Sequence, residues 1–251
     1  MLVSEMFFSV QGEGISTGVP SIFIRVTGCS LSCGLNGLFE SGKATWKCDS
    51  ELMWKTGKQM SNEDIENKII EFGQLDNVIN GTTHIIWTGG EIMIPNKRKE
   101  MIAFLDYFHN KYPQSAETMF NEVETNGIHP VEDMQSLAKN YIHQINSSPK
   151  LANSGMGKSM RINKQALQQI NLHPNGWFKF VVSTEDDIKE IFEDFVKPFG
   201  LLKTNIIIMP GVDNLADLSE RTRFVFEMAK KYNIRACTRA HILAWDRVVS
   251  V

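Results

Sequence analysis

The chain has 251 residues, of which 42% are hydrophobic and 22% are charged, and its formal net charge at pH 7 is −3. This length and apolar content suffice for a sizeable core, and the lack of overall positive charge does not indicate a nucleic-acid-binding protein. The N-terminal segment lacks the basic and apolar regions of a secretory signal, and no apolar run approaches the roughly 20 residues of a membrane helix, so we expect a soluble cytoplasmic protein without direct membrane or nucleic-acid contacts.

Short segments rich in β-branched residues alternate along the chain with longer amphipathic segments. Strands are predicted at 21–28, 84–91, 118–127, 141–150, 177–183 and 205–211, and the segment 234–241 closes the series. Helices are predicted at 61–73, 96–113, 130–140, 184–200 and 217–233. Ser61 is a capping residue and Pro130 a first-turn proline, so both are typical of helix starts.

This alternation is typical of an α/β protein with a parallel sheet, either open or curled into a barrel. We see no internal repeat and no linker rich in Pro, Gly or Ser, so residues 1–251 are predicted to form a single domain. The segments 34–60 and 150–175 are polar and weakly periodic, and we interpret them as insertions or long loops. Ligands bind such sheets at the carboxyl ends of the strands, and nearly every unusual motif of this chain follows a predicted strand.

Three of the four cysteines, Cys29, Cys33 and Cys48, follow the first predicted strand, with gaps of three and fourteen residues between them. Without an export signal these thiols are expected to stay reduced. Three thiolates suit zinc or an iron–sulfur cluster with one open coordination position, although the spacing also permits three unlinked thiols. Cys237 is distant in the sequence and is interpreted as a small buried hydrophobe.

The other strand-end motifs each allow a structural and a ligand-binding interpretation. "TGGE" is either an ordinary corner or a place where the backbone approaches a ligand closely. "VQGEG" and "VETNG" are turns, or they supply an amide and carboxylates for the edge of a heterocycle. Arg25 lies in an apolar strand and needs either a structural carboxylate or an anionic ligand. His241 is either a satisfied core histidine or a ligand contact.

Taken together, "GCSLSC", "CDS" and "TGGE" resemble the radical S-adenosylmethionine superfamily, in which three cysteines hold a [4Fe–4S] cluster. The opening "FSVQGEGISTGVPSIFIRVTGCSLSC" is similar to that of the 7-carboxy-7-deazaguanine synthase family. "VETNG", "SSPK", "KFVV", "IIIMPG" and "TRAHILAW" then follow in that family's order. The resemblance extends over nearly the whole chain and is most specific in the first 33 residues.

The resemblance implies a homodimeric lyase with a partial, open parallel β/α barrel. Its reaction would convert 6-carboxy-5,6,7,8-tetrahydropterin to 7-carboxy-7-deazaguanine with loss of ammonia, as in queuosine-type biosynthesis. The implied cofactors are a [4Fe–4S] cluster, S-adenosylmethionine and Mg²⁺, and the implied electron source is an external flavodoxin-like reductant. A 5′-deoxyadenosyl radical would abstract a hydrogen from C6 of the pterin.

The resemblance also implies roles for individual residues. The cluster ligands would be Cys29, Cys33 and Cys48, which share catalysis with Glu13 and Arg25, and Ser50 would bind Mg²⁺. Contacts to S-adenosylmethionine are expected from Thr88, Gly89, Gly90, Glu91, Ser148, Pro149, Lys150, Met209, Pro210 and Gly211. Contacts to the pterin are expected from Val10, Gln11, Gly12, Glu13, Arg25, Thr88, Glu124 and His241.

The chain departs from the superfamily's usual CxxxCxxC spacing because residues 34–47 form an insertion between the second and third cysteines. Phe39 and Trp46 are expected to anchor this insertion. "GGEIM" also lacks the proline that often follows the glycines. Two other functions stay open: a radical S-adenosylmethionine activase that generates a glycyl radical on a partner enzyme, and a non-enzymatic zinc-binding module. The carboxylates of "QGEG" and "VETNG" favour the synthase over the activase.

Overall fold

The computed structural model describes residues 1–248, in which nine strands form one sheet in the order β3-β1-β2-β4-β5-β6-β7-β8-β9. The strands are β1 (Leu2–Val10), β2 (Pro20–Val26), β3 (Lys58–Gln59), β4 (His84–Gly89), β5 (Asn121–Thr125), β6 (Gln144–Ser147), β7 (Gly176–Val182), β8 (Ile206–Pro210) and β9 (Arg235–Ala236). Strand β1 pairs antiparallel with β2 and β3, and every pairing from β2 to β9 is parallel. The predicted α/β class with a mainly parallel sheet is therefore confirmed.

Helices connect the parallel strands. They are α1 (Glu51–Trp54), α2 (Asn62–Glu71), α3 (Leu75–Ile79), α4 (Pro95–Lys111), α5 (Ser115–Thr118), α6 (Met134–Asn140), α7 (Lys158–Arg161), α8 (Lys164–Asn171), α9 (Glu185–Glu190), α10 (Lys197–Phe199), α11 (Leu215–Tyr232) and α12 (Ala240–Trp245). A π-helical turn, Ile191–Val196, joins α9 to α10, and two short 3₁₀ turns lie at Ala152–Ser154 and Lys203–Asn205. No helix within residues 1–248 has the length and apolarity needed to cross a membrane.

The two faces of the sheet differ in chemistry because successive side chains of a strand point to opposite sides. In β2, Ile22, Ile24 and Val26 join the main apolar cluster with residues of the surrounding helices. Arg25 alternates with them and so lies on the other face, which we call the polar face. Thr88, Glu124 and Lys179 lie on this face of β4, β5 and β7. A parallel strand is usually apolar on both sides, so this concentration of polar groups marks the face that positions a site.

The structure differs from the predictions at several elements, including α1 and β3 within the segment 34–60. Strand β1 was not predicted, because its sequence alternates polar and apolar residues only weakly. The helix expected to open at Pro130 begins at Met134, since the Asp133 side chain accepts a hydrogen bond from the Ser136 amide and caps it there. The segment 150–175, interpreted as loop, contains α7 and α8.

Helix α8 forms within that segment because its N-terminus is capped and its buried positions have helical spacing. The Asn163 side chain accepts a hydrogen bond from the Ala166 amide at 3.1 Å. Ala166, Leu167 and Ile170 are buried. The weak periodicity seen over the whole segment therefore hid a helix of two turns.

Candidate functional site

The parallel strands from β2 to β9 bring their carboxyl ends to one edge of the sheet. The segments that follow β2, β4, β5, β6, β8 and β9 begin with or contain "GCSLSC", "GE", "NG", "SPK", "G" and "CTRAH". The expected gathering of motifs at one edge is therefore present, and we call this edge the candidate site.

The cysteine loop closes on itself despite its long insertion. The Cys48 amide donates to the Cys33 carbonyl at 3.1 Å. Gly34, at φ +65°, packs so tightly on Trp46 that a Cβ there would lie 2.2 Å from the Trp46 carbonyl oxygen. The chain therefore leaves and returns at one point, and the fourteen intervening residues do not separate the second and third cysteines.

The three thiols share one electrostatic environment. Cys33 is buried, whereas Cys29 and Cys48 are half-buried. Burial raises the pKa of the Cys33 thiol to about 11; the charge of Lys150 opposes this rise, and proximity to Cys29 and Cys48 adds to it. Thiols this close repel each other once ionised, and a metal centre would relieve that repulsion.

The glycines after β4 let the chain approach the cysteine loop. The Gly90 amide donates to the Val26 carbonyl at 3.0 Å, and the Glu91 amide donates to the Gly28 carbonyl at 3.0 Å. A Cβ on Gly90 would lie 2.0 Å from the Gly28 carbonyl oxygen and 2.8 Å from the Cys29 nitrogen. Only glycine fits at this position because two loops pack closely here, and an approach of this backbone to a ligand stays a prediction.

The Glu91 carboxylate joins the ends of β4 and β5. It is 1% exposed. It accepts hydrogen bonds from the Met93 amide at 2.8 Å, the Thr125 hydroxyl at 2.7 Å and the Asn126 amide at 2.7 Å. The predicted contact of Glu91 with a ligand ammonium stays a prediction, because this carboxylate is engaged by its own chain.

Lys150 brings a positive charge to the cysteine loop. Its Nζ donates to the Ser148 hydroxyl at 3.0 Å and lies 5.5 Å from the centre of the Trp46 ring. Its charge is close enough to lower the pKa values of Cys29, Cys33 and Glu91 against the rise caused by burial. The end of β6 therefore supplies a cation beside the thiols.

Gln11, Thr88 and Glu124 form a hydrogen-bonded group on the polar face. The Gln11 Nε2 donates to Glu124 Oε1 at 3.1 Å, and the Thr88 hydroxyl donates to Glu124 Oε2 at 2.7 Å. Gln11 Oε1 accepts from the Glu13 amide at 3.1 Å. Three residues from the "QGEG", "TGGE" and "VETNG" motifs thus present an amide, a hydroxyl and a carboxylate side by side.

Glu13 lies among cations. Its Oε2 accepts from Lys179 Nζ, its Oε1 accepts from Arg239 Nε at 2.8 Å, and His241 Nε2 is 3.9 Å from Oε1. Burial alone would raise the pKa of Glu13, but the charges of Lys179 and Arg239 hold it well below its usual range. Glu13 is therefore an ionised carboxylate in a mostly buried position.

Arg25 binds a structural carboxylate in this structure. Its Nε donates to Glu5 Oε1 at 2.6 Å, across the β1–β2 pairing. The Arg25 side chain is 18% exposed. The first of the two alternatives for Arg25 is therefore present, and recognition of an anionic ligand through its other nitrogens stays a prediction.

The remaining predicted residues differ in their surroundings. Val10 is 38% exposed at the end of β1, whereas Met209 and Pro210 are buried in β8. Ser50 Oγ is 3.7 Å from Cys48 Sγ. Cys237, interpreted as a buried hydrophobe, is half-buried, and burial is the main cause that raises the pKa of its thiol.

Sequence reasoning missed three charged residues of the site: Lys179, Arg239 and Asp49. Lys179 is the one charge within the apolar strand β7, which is the signal that drew attention to Arg25 in β2. Arg239 and Asp49 lie inside "TRAH" and "CDS", where His241 and the neighbouring Ser50 were singled out instead. Lys179 could therefore have been identified from the sequence as an isolated charge in a buried strand. The pairing of Arg239 with Asp49 has no such signal in the sequence.

The donor set fits an iron–sulfur cluster. Three soft thiol ligands lie on one loop at a strand end, with a cation nearby. Within residues 1–248, no three or more His, Cys, Asp and Glu side chains converge on one ion-sized point. A four-iron cluster does not need that convergence, because each cysteine binds a different iron.

Comparisons with known proteins agree on one family. No protein-family model matches the chain. A 7-carboxy-7-deazaguanine synthase of Leptospira interrogans is 31% identical over 193 residues, which cover 76% of this chain and 74% of that one. Another of that name, from Pyrobaculum aerophilum, is 29% identical over 248 residues, covering 97% and 94%. The crystal structure of QueE from Escherichia coli matches with a TM-score of 0.60 at 23% identity and covers 96% of this chain and 94% of that one, which shows a shared fold.

Proposed function

The chain belongs to the 7-carboxy-7-deazaguanine synthase family, and we propose that it is a radical S-adenosylmethionine lyase that converts 6-carboxy-5,6,7,8-tetrahydropterin to 7-carboxy-7-deazaguanine with loss of ammonia. One observation supports this above the others. Thr88 and Glu124 are one residue from the carboxyl ends of β4 and β5, close to the edge that carries the closed cysteine loop, and Gln11 reaches Glu124 across the polar face from the β1–β2 loop. A cofactor and a polar heterocycle could therefore be bound side by side.

On the cofactor side, Cys29, Cys33 and Cys48 would hold a [4Fe–4S] cluster. When bound, the cluster and S-adenosylmethionine supply the radical that removes hydrogen from the substrate. Residues 88–91, 148–150 and 209–211 would line the S-adenosylmethionine, with the backbone at Gly90 held against the cysteine loop. Lys150 would balance part of the negative charge of the thiolates.

On the substrate side, Gln11, Thr88 and Glu124 would hydrogen-bond to the donor and acceptor edge of the pterin. Arg25 would bind the pterin carboxylate. His241 and Glu13 would contact the pterin ring. Because Glu13 stays ionised, it can accept hydrogen bonds from ring N–H and amino groups at neutral pH.

Ser50 is the proposed Mg²⁺ ligand, because a hydroxyl oxygen is the hard ligand that this ion prefers. Ser50 lies two residues after Cys48, so the ion would be held beside the cysteine loop. The positive charge of the ion would favour binding of an anionic substrate group.

The same proposal covers the organisation of the protein. Residues 1–251 would form one radical S-adenosylmethionine domain of the open-barrel type, with 34–47 as an insertion. A homodimer, a flavodoxin-like one-electron reductant and a cytoplasmic location are part of the proposal. All four cysteines are free thiols, which suits a reducing compartment.

The proposal is tested by anaerobic reconstitution with iron and sulfide, followed by reduction in the presence of S-adenosylmethionine, Mg²⁺ and the carboxytetrahydropterin. We expect a brown protein that forms 7-carboxy-7-deazaguanine, identified by mass spectrometry. Formation of 5′-deoxyadenosine without the deazaguanine would point to another substrate. A colourless protein with tightly bound zinc would contradict the enzyme proposal altogether.

A further inference from the structure

The guanidinium of Arg239 joins loops from distant parts of the chain. Its Nε donates to Glu13 Oε1 at 2.8 Å, its Nη1 donates to the Val212 carbonyl oxygen at 2.5 Å, and its Nη2 donates to Asp49 Oδ2. Arg239 itself follows β9, and its side chain is 10% exposed. One buried cation therefore ties together the β1–β2 loop, the loop of Cys48, the loop after β8 and the loop after β9.

The shape of the arginine head group is what this arrangement uses. A guanidinium carries five N–H donors in a rigid plane, so it can hold three partners in fixed directions. A lysine ammonium has the same charge but is a single point at the end of a flexible stem. The need at this position is therefore for geometry as well as charge.

Glu13 does not depend on Arg239 alone for its ionised state. Lys179 Nζ also donates to its carboxylate, from β7. Asp49, in contrast, is directly next to Cys48 in the chain, and its half-exposed side chain reaches Arg239. Loss of Arg239 should therefore affect the position of the Cys48 loop more than the ionisation of Glu13.

We propose that Arg239 is a positioning residue that sets the place of Cys48 and Ser50 relative to Glu13, and thereby the separation of cofactor from substrate. This inference rests on the proposed function. Reacting groups must approach to about 3–3.5 Å, and a displacement of about 1 Å can cost about 100-fold in rate. A rigid link between the two halves of the site would meet that requirement.

The first test uses the cofactor-free protein and measures backbone hydrogen exchange. In Arg239→Gln, the amides of Gln11, Glu13 and Cys48 should exchange at least about 10-fold faster, because their loops lose a common anchor. The matched control is Arg247→Gln, since Arg247 is 66% exposed and reaches Asp213 Oδ1 only at 3.5 Å. Unchanged exchange at all three amides in Arg239→Gln would overturn the proposal.

A second variant covers the case in which Arg239→Gln does not fold. Asp49→Ala removes one partner of Arg239 and leaves the contacts to Glu13 and Val212. Exchange should then increase at the Cys48 amide and stay as in the wild type at Gln11 and Glu13. Equal effects at both loops, or none at Cys48, would contradict a link through Asp49.

The third measurement uses the reconstituted enzyme and compares 5′-deoxyadenosine with deazaguanine product. With unchanged iron content, Arg239→Gln and Arg239→Lys should both lose about 10- to 100-fold in product formation and release several-fold more deoxyadenosine per product. Full rescue by Arg239→Lys would show that charge alone suffices and would overturn the positioning role. If the wild type makes no deazaguanine, the proposed function fails, while the exchange experiment still decides the role of Arg239.

Discussion

Glu13 and Glu91 are both buried carboxylates of the site, yet their pKa values shift in opposite directions. Burial raises both. At Glu13 the charges of Lys179 and Arg239 outweigh burial, so the pKa falls. At Glu91 the opposing influences are hydrogen bonds from neutral donors and the charge of Lys150, and burial prevails, so the pKa rises. The first carboxylate is held in its ionised form by two cations, and the second holds two strand ends together.

Glu13→Gln should destabilise the cofactor-free protein by about 3–5 kcal/mol at pH 7.5, because it leaves the buried Lys179 charge without the carboxylate it donates to and leaves Arg239 with the Asp49 carboxylate alone. Since the folded pKa of Glu13 is depressed, its contribution is complete above the unfolded value near 4.3 and is lost as pH falls through the folded pKa. The decrease in unfolding free energy from wild type to Glu13→Gln should therefore be the same at pH 6 and pH 8, because both values lie above the range in which Glu13 titrates. Urea unfolding at both pH values checks this.

The control for that variant is Glu40→Gln, which removes an exposed pair with Lys47. It should leave the unfolding midpoint unchanged. Equal unfolding free energies for wild type and Glu13→Gln at pH 7.5 would contradict the electrostatic account of Glu13.

Glu91→Gln should cost about 1–3 kcal/mol, because the amide Nε2 cannot accept and would leave a buried N–H of Asn126 or Met93 unpaired. The loosened corner should also release the cysteine loop, which the Glu91 backbone contacts. Unfolding by urea and iron content after reconstitution measure the two effects. If iron loading is normal and stability unchanged, the carboxylate does not hold the corner.

At the level of elements, the insertion 34–47 is attached to the body of the protein at both ends, and its first residue, Gly34, donates its amide to the Ser154 carbonyl at 2.9 Å. Trp46 Nε1 donates to the Asn153 side-chain oxygen at 2.9 Å, and the Thr45 amide donates to the Asn153 carbonyl at 2.9 Å. Leu35 and Ala44 are buried, whereas Phe39 is 45% exposed. The expectation that Phe39 anchors the insertion is therefore wrong; Trp46 is the aromatic residue that does.

The two aromatic residues of the insertion form a matched pair for mutation. Trp46→Ala should lower the free energy of unfolding by about 2 kcal/mol, because it removes packing against Lys150 and the bond to Asn153. It should also reduce iron retention, since Trp46 adjoins Gly34 at the closed neck of the loop. Phe39→Ala should change neither quantity. Urea unfolding and iron analysis of both variants test this, and equal effects would contradict the assignment.

At the scale of the whole molecule, the edge opposite the candidate site holds a group of histidines. Burial lowers the pKa of His143, and nearby His109, His173 and His84 lower it further. His143 Nδ1 accepts a hydrogen bond from the Asn121 amide at 3.0 Å, so the bond requires an unprotonated nitrogen. Burial also lowers the pKa values of His109 and His173, so folding favours the neutral form of these three rings.

Acidification should destabilise the molecule through this group. Below the unfolded histidine pKa of about 6.5, the unfolded chain binds more protons than the folded one, so unfolding becomes easier as pH falls. We expect the melting temperature of the cofactor-free protein to be about 2–4 °C lower at pH 5.5 than at pH 7.5. His143→Asn keeps an acceptor without titrating and should show a smaller drop. The same slope in variant and wild type would remove His143 from the explanation.

The helices and strands with regular hydrophobic spacing could be predicted from the sequence. Helices α2, α4 and α11 lie within the predicted ranges apart from their ends, and each parallel strand from β2 to β8 overlaps a predicted one. Strand β1 and helix α8 were missed, because the nine residues of β1 alternate only weakly and the helical spacing of α8 extends over only two turns. Hydrophobic periodicity needs several turns or residues to be recognised, so short or amphipathically weak elements are not visible in it.

The order of the motifs along the chain and the common direction of the parallel strands are enough to predict which chemical groups meet at one edge of the sheet. How those groups pair could be seen only in the folded molecule. Glu13 meets Lys179 and Arg239, which are more than 160 residues away along the chain, through strand register and loop closure. Cys48 likewise lies next to Cys33, despite the fourteen residues between them, because the insertion returns to the point at which it leaves the loop. Such pairings depend on contacts between distant segments, and local patterns carry no information about them.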